Sequence, residues 1–284
     1  MLNLDSNLLA RLKTAGVIVL SYLLLLGLLG LGGVFAEVAF FCFIAIAVLI
    51  VYELSRIVSL AIIGAEVESR IYTMMGILSL PSLSVILSHF SWCLPSVVIV
   101  LSIFFLTVVF YGFFLGRNDI AISSRYFQVL FPAMLFALGV ASFLALLLQE
   151  NYFANLIWLT IVVAANDTAA YFFGKNYGRA ALITSISPNK TVEGALAGLF
   201  VATVLGAVLY GMVGLCDRLV CIVGLSFLIA FSATLGDLLE SYLKRLAGVK
   251  DSSSILPGHG GVLDRVDAIM IAALFFFPVT IFFL

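Results

Sequence analysis

Five carboxylates and four obligate cations fall between Gly236 and Asp267: Asp237, Glu240, Asp251, Asp264 and Asp267, with Lys244, Arg245, Lys250 and Arg265 among them. In a chain that is elsewhere almost uncharged, this density suits a divalent metal and phosphate groups held together. Carboxylate oxygens, water and phosphate oxygens make the shell that Mg²⁺ prefers. Asp237 and Glu240 stand at i, i+3 and share a helix face, as do Asp264 and Asp267 if the last helix starts there, so two carboxylate faces can meet across one site. The turn Gly258-His259-Gly260-Gly261 lets backbone approach phosphate closely, because glycine lacks a Cβ and reaches positive φ. Solvated loop charges are the bland alternative.

Two smaller polar groups precede this stretch. Asn166-Asp167, with Ala170-Tyr171 and Gly174, closes an apolar run just before Lys175 and Arg179. Ser187-Pro188-Asn189-Lys190-Thr191-Val192-Glu193-Gly194 leads into the next run. There Ser187 or Asn189 is expected to cap a helix whose free N–H groups, with Lys190, form a seat for phosphate. A plain capped helix start accounts for the same residues.

The elements that must position these groups are transmembrane. Of 284 residues 64% are apolar and 10% charged, against roughly 25% charged in soluble chains. Apolar runs near 15–35, 37–62, 71–89, 92–115, 126–148, 153–173, 192–213, 219–242 and 266–284 predict an all-α integral membrane protein, a polytopic bundle of about nine helices. Glu53 and Arg56 interrupt the second run, and Pro81 with several serines the third. The run 15–35 exceeds a signal peptide's apolar core of about 7 to 15 residues, so a retained first span is expected although Val34-Phe35-Ala36 loosely resembles a cleavage site. Residues 1–125 read as N-terminal helices and 126–284 as the catalytic region.

With nine spans, the N-terminus and the loops around 63–70, 116–125, 174–191 and 243–265 fall on one side, together with every Lys and Arg except Arg218. That side reads as cytoplasmic. The net charge of −1 argues against nucleic acid as a partner. Cys42, Cys93, Cys216 and Cys221 lack metal-ligand spacing and read as small packed residues.

Taken as one spaced pattern, Ser241-x-Leu243-Lys244-Arg245-x4-Lys250-Asp251-x-Ser253-x2-Leu256-Pro257-x-His259-Gly260-Gly261-Val262-x-Asp264-Arg265-Val266-Asp267 resembles the signature of phosphatidate cytidylyltransferases, also called CDP-diacylglycerol synthases. Asp167-x2-Ala170-Tyr171-x2-Gly174 and Ser187-Pro188-x-Lys190-Thr191-x-Glu193-Gly194 join it. The resemblance is strong over residues 160 to 270. Upstream only Tyr52-Glu53-Leu54 belongs to it. Two departures are Leu182 to Ser185, where relatives often carry a proline near Thr184, and Ser253 in place of a common glycine.

The resemblance implies a many-span helical enzyme, often dimeric, that joins CTP to phosphatidic acid in the lipid bilayer and releases pyrophosphate with Mg²⁺, with K⁺ as a possible second ion. It implies Asp237 and Asp264 as metal ligands, then Asp267 and Asp167 as ligands or partners of ligands. Lys190, Lys244, Arg245, Lys250 and Arg265 would hold the phosphates, with Ser187 and His259 as smaller substrate contacts. A bacterial inner membrane with the site facing the cytoplasm is the expected setting.

Other readings make distinct predictions. A lipid or polyprenol kinase, or an archaeal-lipid cytidylyltransferase, would differ in its acceptor. An ion-coupled transporter would also keep carboxylates such as Glu53, Asp167 and Asp237 near span interiors, but it predicts two matching halves with sites near the midplane. The Asp-Gly-x2-Ala-Arg motif of CDP-alcohol phosphatidyltransferases is absent.

Overall fold

The computed structural model describes residues 6–63, 76, 78–83, 85–86, 120–209 and 219–283. Uninterrupted apolar sequence makes long helices here, because in lipid every backbone N–H and C=O must be satisfied within the segment. Among the described residues these are α1 (Ser6–Leu31), α2 (Gly33–Ile63), α3 (Ile120–Leu146), α4 (Tyr152–Tyr177), α5 (Val192–Val208), α6 (Leu219–Leu246) and α7 (Leu263–Phe283). Residues 78–83 are also helical.

Five of them, α1, α2, α3, α4 and α6, contain stretches long and apolar enough to cross a membrane. Helix α5, at 17 residues, is shorter, and α7 opens on charged residues. The expected count of about nine spans is thus matched only as five such helices among the described residues. The expected span 92–115, most of 71–89, Arg70, Arg117, Arg218, Cys93 and Cys216 lie outside them. Large apolar side chains such as Leu20, Phe41, Phe200, Val220 and Phe227 face outward, a surface suited to acyl chains rather than water.

The all-α expectation needs one amendment. Between α4 and α5 the chain forms a small antiparallel hairpin, β1 (Ala181–Ile183) with β2 (Ser187–Thr191), pairing Ala181 with Thr191 and Ile183 with Ser187. The segment is too polar to extend either helix, and Pro188 disfavours helical backbone at Ser187.

Close helix contacts run through small residues, as membrane bundles favour. A Cβ added at Gly236 on α6 would come 2.8 Å from the Asp267 carbonyl and 3.1 Å from Ala268 Cα on α7. Gly194 and Gly198 on α5 face the backbone of Ala170 and Asn166 on α4 in the same way. Trp158, fully buried, donates to the Gly206 carbonyl at 2.9 Å and packs on Phe276 with ring centroids 5.3 Å apart.

Hydrogen bonds gather the polar ends of these helices. Thr14 Oγ1 donates to the Pro257 carbonyl at 3.0 Å, and Arg125 Nε to the Ala61 carbonyl at 2.9 Å. Arg245 Nε donates to the Ile186 carbonyl at 3.2 Å. The start of α1, the end of α2, the start of α3, the hairpin and the loop 247–262 therefore share one end of the bundle. Tyr152 OH to the Leu29 carbonyl, 2.9 Å, and Gln149 Nε2 to Thr280 Oγ1, 2.6 Å, tie the opposite end.

Candidate active site

The last three turns of α6 carry Asp237, Glu240 and Lys244 on one side, each about one helical turn from the next. Lys244 Nζ meets Glu240 Oε2 at 2.6 Å and Asp264 Oδ1 at 2.8 Å. Helix α7, held against α6 at Gly236, brings Asp267 to the same place. One carboxylate oxygen each from Asp237, Glu240 and Asp267 lies within 4.8 Å of the others. Glu240 and Asp267 are buried and Asp237 is half-buried. Lys190, from β2, makes an ion pair with Asp237. Asp167, inside the second half of α4, lies within electrostatic reach of Asp237, Lys190 and Asp267. Its neighbour Asn166 donates to Thr234 Oγ1 on α6 at 3.1 Å.

Asp264 has a different environment. Its Oδ2 accepts from the Gly261 N–H at 2.7 Å and the Ser252 N–H at 3.0 Å, while Lys244 binds Oδ1. It stands just ahead of the last apolar run. Burial works to raise its carboxyl, but hydrogen bonds with Glu240, Lys244 and the Gly261 amide outweigh burial and hold it below the usual carboxylate range. Asp264 thus joins the trio through Lys244, which touches both.

The signature turn is shaped by Gly258 at φ 74° and Gly260 at φ 80°, conformations that only glycine adopts freely. Leu256 N–H donates to the Gly260 carbonyl at 2.8 Å. Arg265 grips the same turn, with Nη2 2.6 Å and Nε 3.1 Å from the His259 carbonyl. His259 Nδ1 has no hydrogen-bond partner among the described residues. Lys250 is exposed and makes no ion pair or hydrogen bond among the described residues.

One sequence expectation is corrected at the hairpin. Neither Ser187 nor Asn189 caps α5, because both lie in β2; Thr191 is the N-cap, its Oγ1 accepting from the Gly194 N–H at 3.2 Å. Glu193 turns back to accept from the N–H groups of Arg179, 3.0 Å, and Ala180, 3.3 Å. Beside this turn opens a cavity of about 380 Å³ lined by Asn176, Tyr177, Gly178, Arg179 and Glu193.

Of the expected site residues, Asp167, Lys190, Asp237, Lys244, Asp264 and Asp267 come together. Arg245 and Arg265 stand at the rim on backbone carbonyls, Ser187 lies in the hairpin, and Lys250 stays outside. Two residues outside the set that the resemblance implies enter: Glu240, which its i, i+3 spacing had put on one face with Asp237, and Glu53, a charge inside an apolar run.

A sequence profile of the cytidylyltransferase family matches residues 10–283 of this chain. The chain belongs to the cytidylyltransferase family. Among curated relatives, a phosphatidate cytidylyltransferase of Helicobacter pylori strain J99 is 54% identical over 119 residues, 42% of this chain and 44% of that protein. Those of Staphylococcus aureus and Bacillus subtilis are 44% identical over 115 residues and 39% over 123, covering 42% and 46% of their lengths. The matched stretch spans less than half the length of each of these curated relatives.

Proposed function

We propose that this chain is a phosphatidate cytidylyltransferase, converting CTP and phosphatidic acid to CDP-diacylglycerol and pyrophosphate. The observation that carries the reading is the meeting of Asp237, Glu240 and Asp267 between Lys190 and Lys244, at one end of an apolar bundle. Family membership and the names of the curated relatives support it.

The reaction asks mainly for placement of two polyanions. A phosphatidate oxygen attacks the α-phosphorus of CTP in line, the bond from that phosphorus to the bridging oxygen breaks, and pyrophosphate leaves with its electron pair. The donor set is all oxygen, which fits Mg²⁺. Asp237, Glu240 and Asp267 would hold the ion, with Asp264 reached across Lys244, and K⁺ is the candidate for a second ion. When bound, Mg²⁺ neutralises charge on the phosphate oxygens.

Lys190 and Lys244 shift from carboxylates toward phosphate oxygens, and Arg245, Arg265 and Lys250 bind phosphate at the rim. Ser187 and His259 add smaller contacts, and Asp167 orders Lys190 and the ion's surroundings. The cavity at Arg179 gives room for the nucleoside end of CTP. The polar end faces the cytoplasm of a bacterial inner membrane, and a homodimer is the proposed assembly. The 126–284 region supplies the reacting groups.

Purified protein in lipid nanodiscs, given CTP, phosphatidate and Mg²⁺, tests this by release of pyrophosphate and formation of CDP-diacylglycerol. Inert protein across several phosphatidates would overturn it. Release of a nucleoside diphosphate would instead assign a lipid kinase.

A further inference from the structure

Glu53 lies on α2, about two hundred residues from the signature loop, and is fully buried. Both of its oxygens are saturated in the same way, by one hydroxyl and one backbone N–H each. Oε1 accepts from Ser253 Oγ at 2.6 Å and the Val262 N–H at 3.0 Å. Oε2 accepts from Ser252 Oγ at 3.1 Å and the Leu263 N–H at 2.7 Å. No Lys or Arg pairs with it among the described residues. Its compensation comes from the free N–H groups at the start of α7, where a helix favours an anion.

The same loop residue serves two carboxylates. Ser252 Oγ lies 3.1 Å from Glu53 Oε2 and 3.1 Å from Asp264 Oδ2, and the Ser252 N–H donates to Asp264. One turn after Glu53, Arg56 Nη1 donates to the Ser252 carbonyl at 3.1 Å. Gly261 leaves the necessary space, since a Cβ there would come 2.5 Å from Glu53 Oε2 and 2.6 Å from Oε1. Leu263, which Glu53 holds, immediately precedes Asp264, and Asp267 follows one turn later.

We propose that Glu53 is a positioning residue for the site: it fixes the loop 252–262 and the first turn of α7, and through them the placement of Asp264 and Asp267. The effect on turnover rests on the cytidylyltransferase reading; the effect on the loop does not. A neutral isostere should not substitute. Glutamine offers one acceptor oxygen, so its NH₂ must face either the Val262 or the Leu263 N–H, and a backbone donor cannot turn away.

The test compares wild type with Glu53→Gln and Ser252→Ala as full-length chains in nanodiscs, by two measurements. Hydrogen–deuterium exchange should show the Val262 and Leu263 amides opening at least about tenfold faster in E53Q while α4 and α5 keep wild-type protection. Turnover should fall by roughly 10- to 100-fold, as when a group behind a metal ligand is lost, and half-maximal activity should need more Mg²⁺. S252A should shift both in the same direction by less.

Wild-type loop exchange in E53Q, or turnover within about twofold of wild type at an unchanged Mg²⁺ requirement, would overturn the proposal. If E53Q loses protection throughout, S252A decides by the same two measures, and its behaving as wild type counts against the proposal. Wild-type protein that does not turn over CTP and phosphatidate defeats the reaction reading instead, and loop exchange then decides the clamp alone.

Discussion

Around Ser252, the carboxylates of Glu53 and Asp264 take backbone and hydroxyl donors until little acceptor capacity remains. One helical turn away, Asp237, Glu240 and Asp267 bring oxygens within 4.8 Å of one another with Lys190 and Lys244 beside them. The first arrangement is complete as it stands and fixes a loop. The second crowds like charges that repel in the absence of a cation. Two neighbouring sets of acidic residues thus divide the labour: one sets the shape, the other is left to bind.

The sharpest way to break this distinction is Asp267→Asn. Turnover should fall by about a thousandfold, the scale of losing one group that stabilises transition-state charge. Thermal stability measured without divalent metal should stay level or rise, because repulsion in the trio is relieved. A melting temperature that drops as far as that of a loop variant would erase the contrast.

Asp264→Asn should behave in the opposite sense. Its amide NH₂ would face the Lys244 ammonium or the donors of Gly261 and Ser252, which costs roughly 2–4 kcal/mol of stability. Denaturation in mixed micelles should register the loss, with turnover falling as a consequence. Gly236→Ala probes the seam that holds the two sets together. Its Cβ would press on the Asp267 carbonyl, costing about 1–3 kcal/mol of stability and about tenfold in turnover.

Lys190→Gln, on the binding side of the division, should raise the KM for CTP about tenfold, the worth of one charge-assisted contact, with the melting temperature unchanged. The smallest effect is on pH dependence. Asp264 titrates lower folded than unfolded, so its stabilisation is present above the unfolded value of about 4 and is lost as pH falls further. Acid melting curves of wild type should show this slope, and those of D264N should lack it.

Much of the frame was legible in the sequence. Apolar runs at 126–148, 153–173 and 219–242 correspond to α3, α4 and α6 within a few residues, because in a bilayer the hydrophobic length dictates the helix. The i, i+3 spacing placed Asp237 and Glu240 on one face, as found. The same spacing was a poorer guide for Asp264 and Asp267. Both reach α6, but Asp264 does so through Lys244 while the Gly261 and Ser252 donors also tie it to the loop.

The cap of α5 moved from Ser187 or Asn189 to Thr191 because strand pairing carried the chain four residues further before the helix began. Glu53 was visible as a charge inside an apolar run and in the Tyr52-Glu53-Leu54 element, but not as a partner of the loop. Its partners are some two hundred positions away, and no local pattern encodes a contact of that separation. Ser253, a departure from the resembled signature, proves to donate to that same carboxylate.

Helix α2 does not stop where Glu53 grips the loop. It continues to Ile63, another ten residues and about 15 Å of rise. The start of α7 is therefore held along the flank of α2 and not at its end. A substrate tethered to the membrane by two acyl chains moves in a plane and gains little from a site that stands high above it. Under the proposed reaction, a site on a helix flank would let the lipid phosphate arrive sideways at its own level, leaving the water-soluble nucleotide to make the descent.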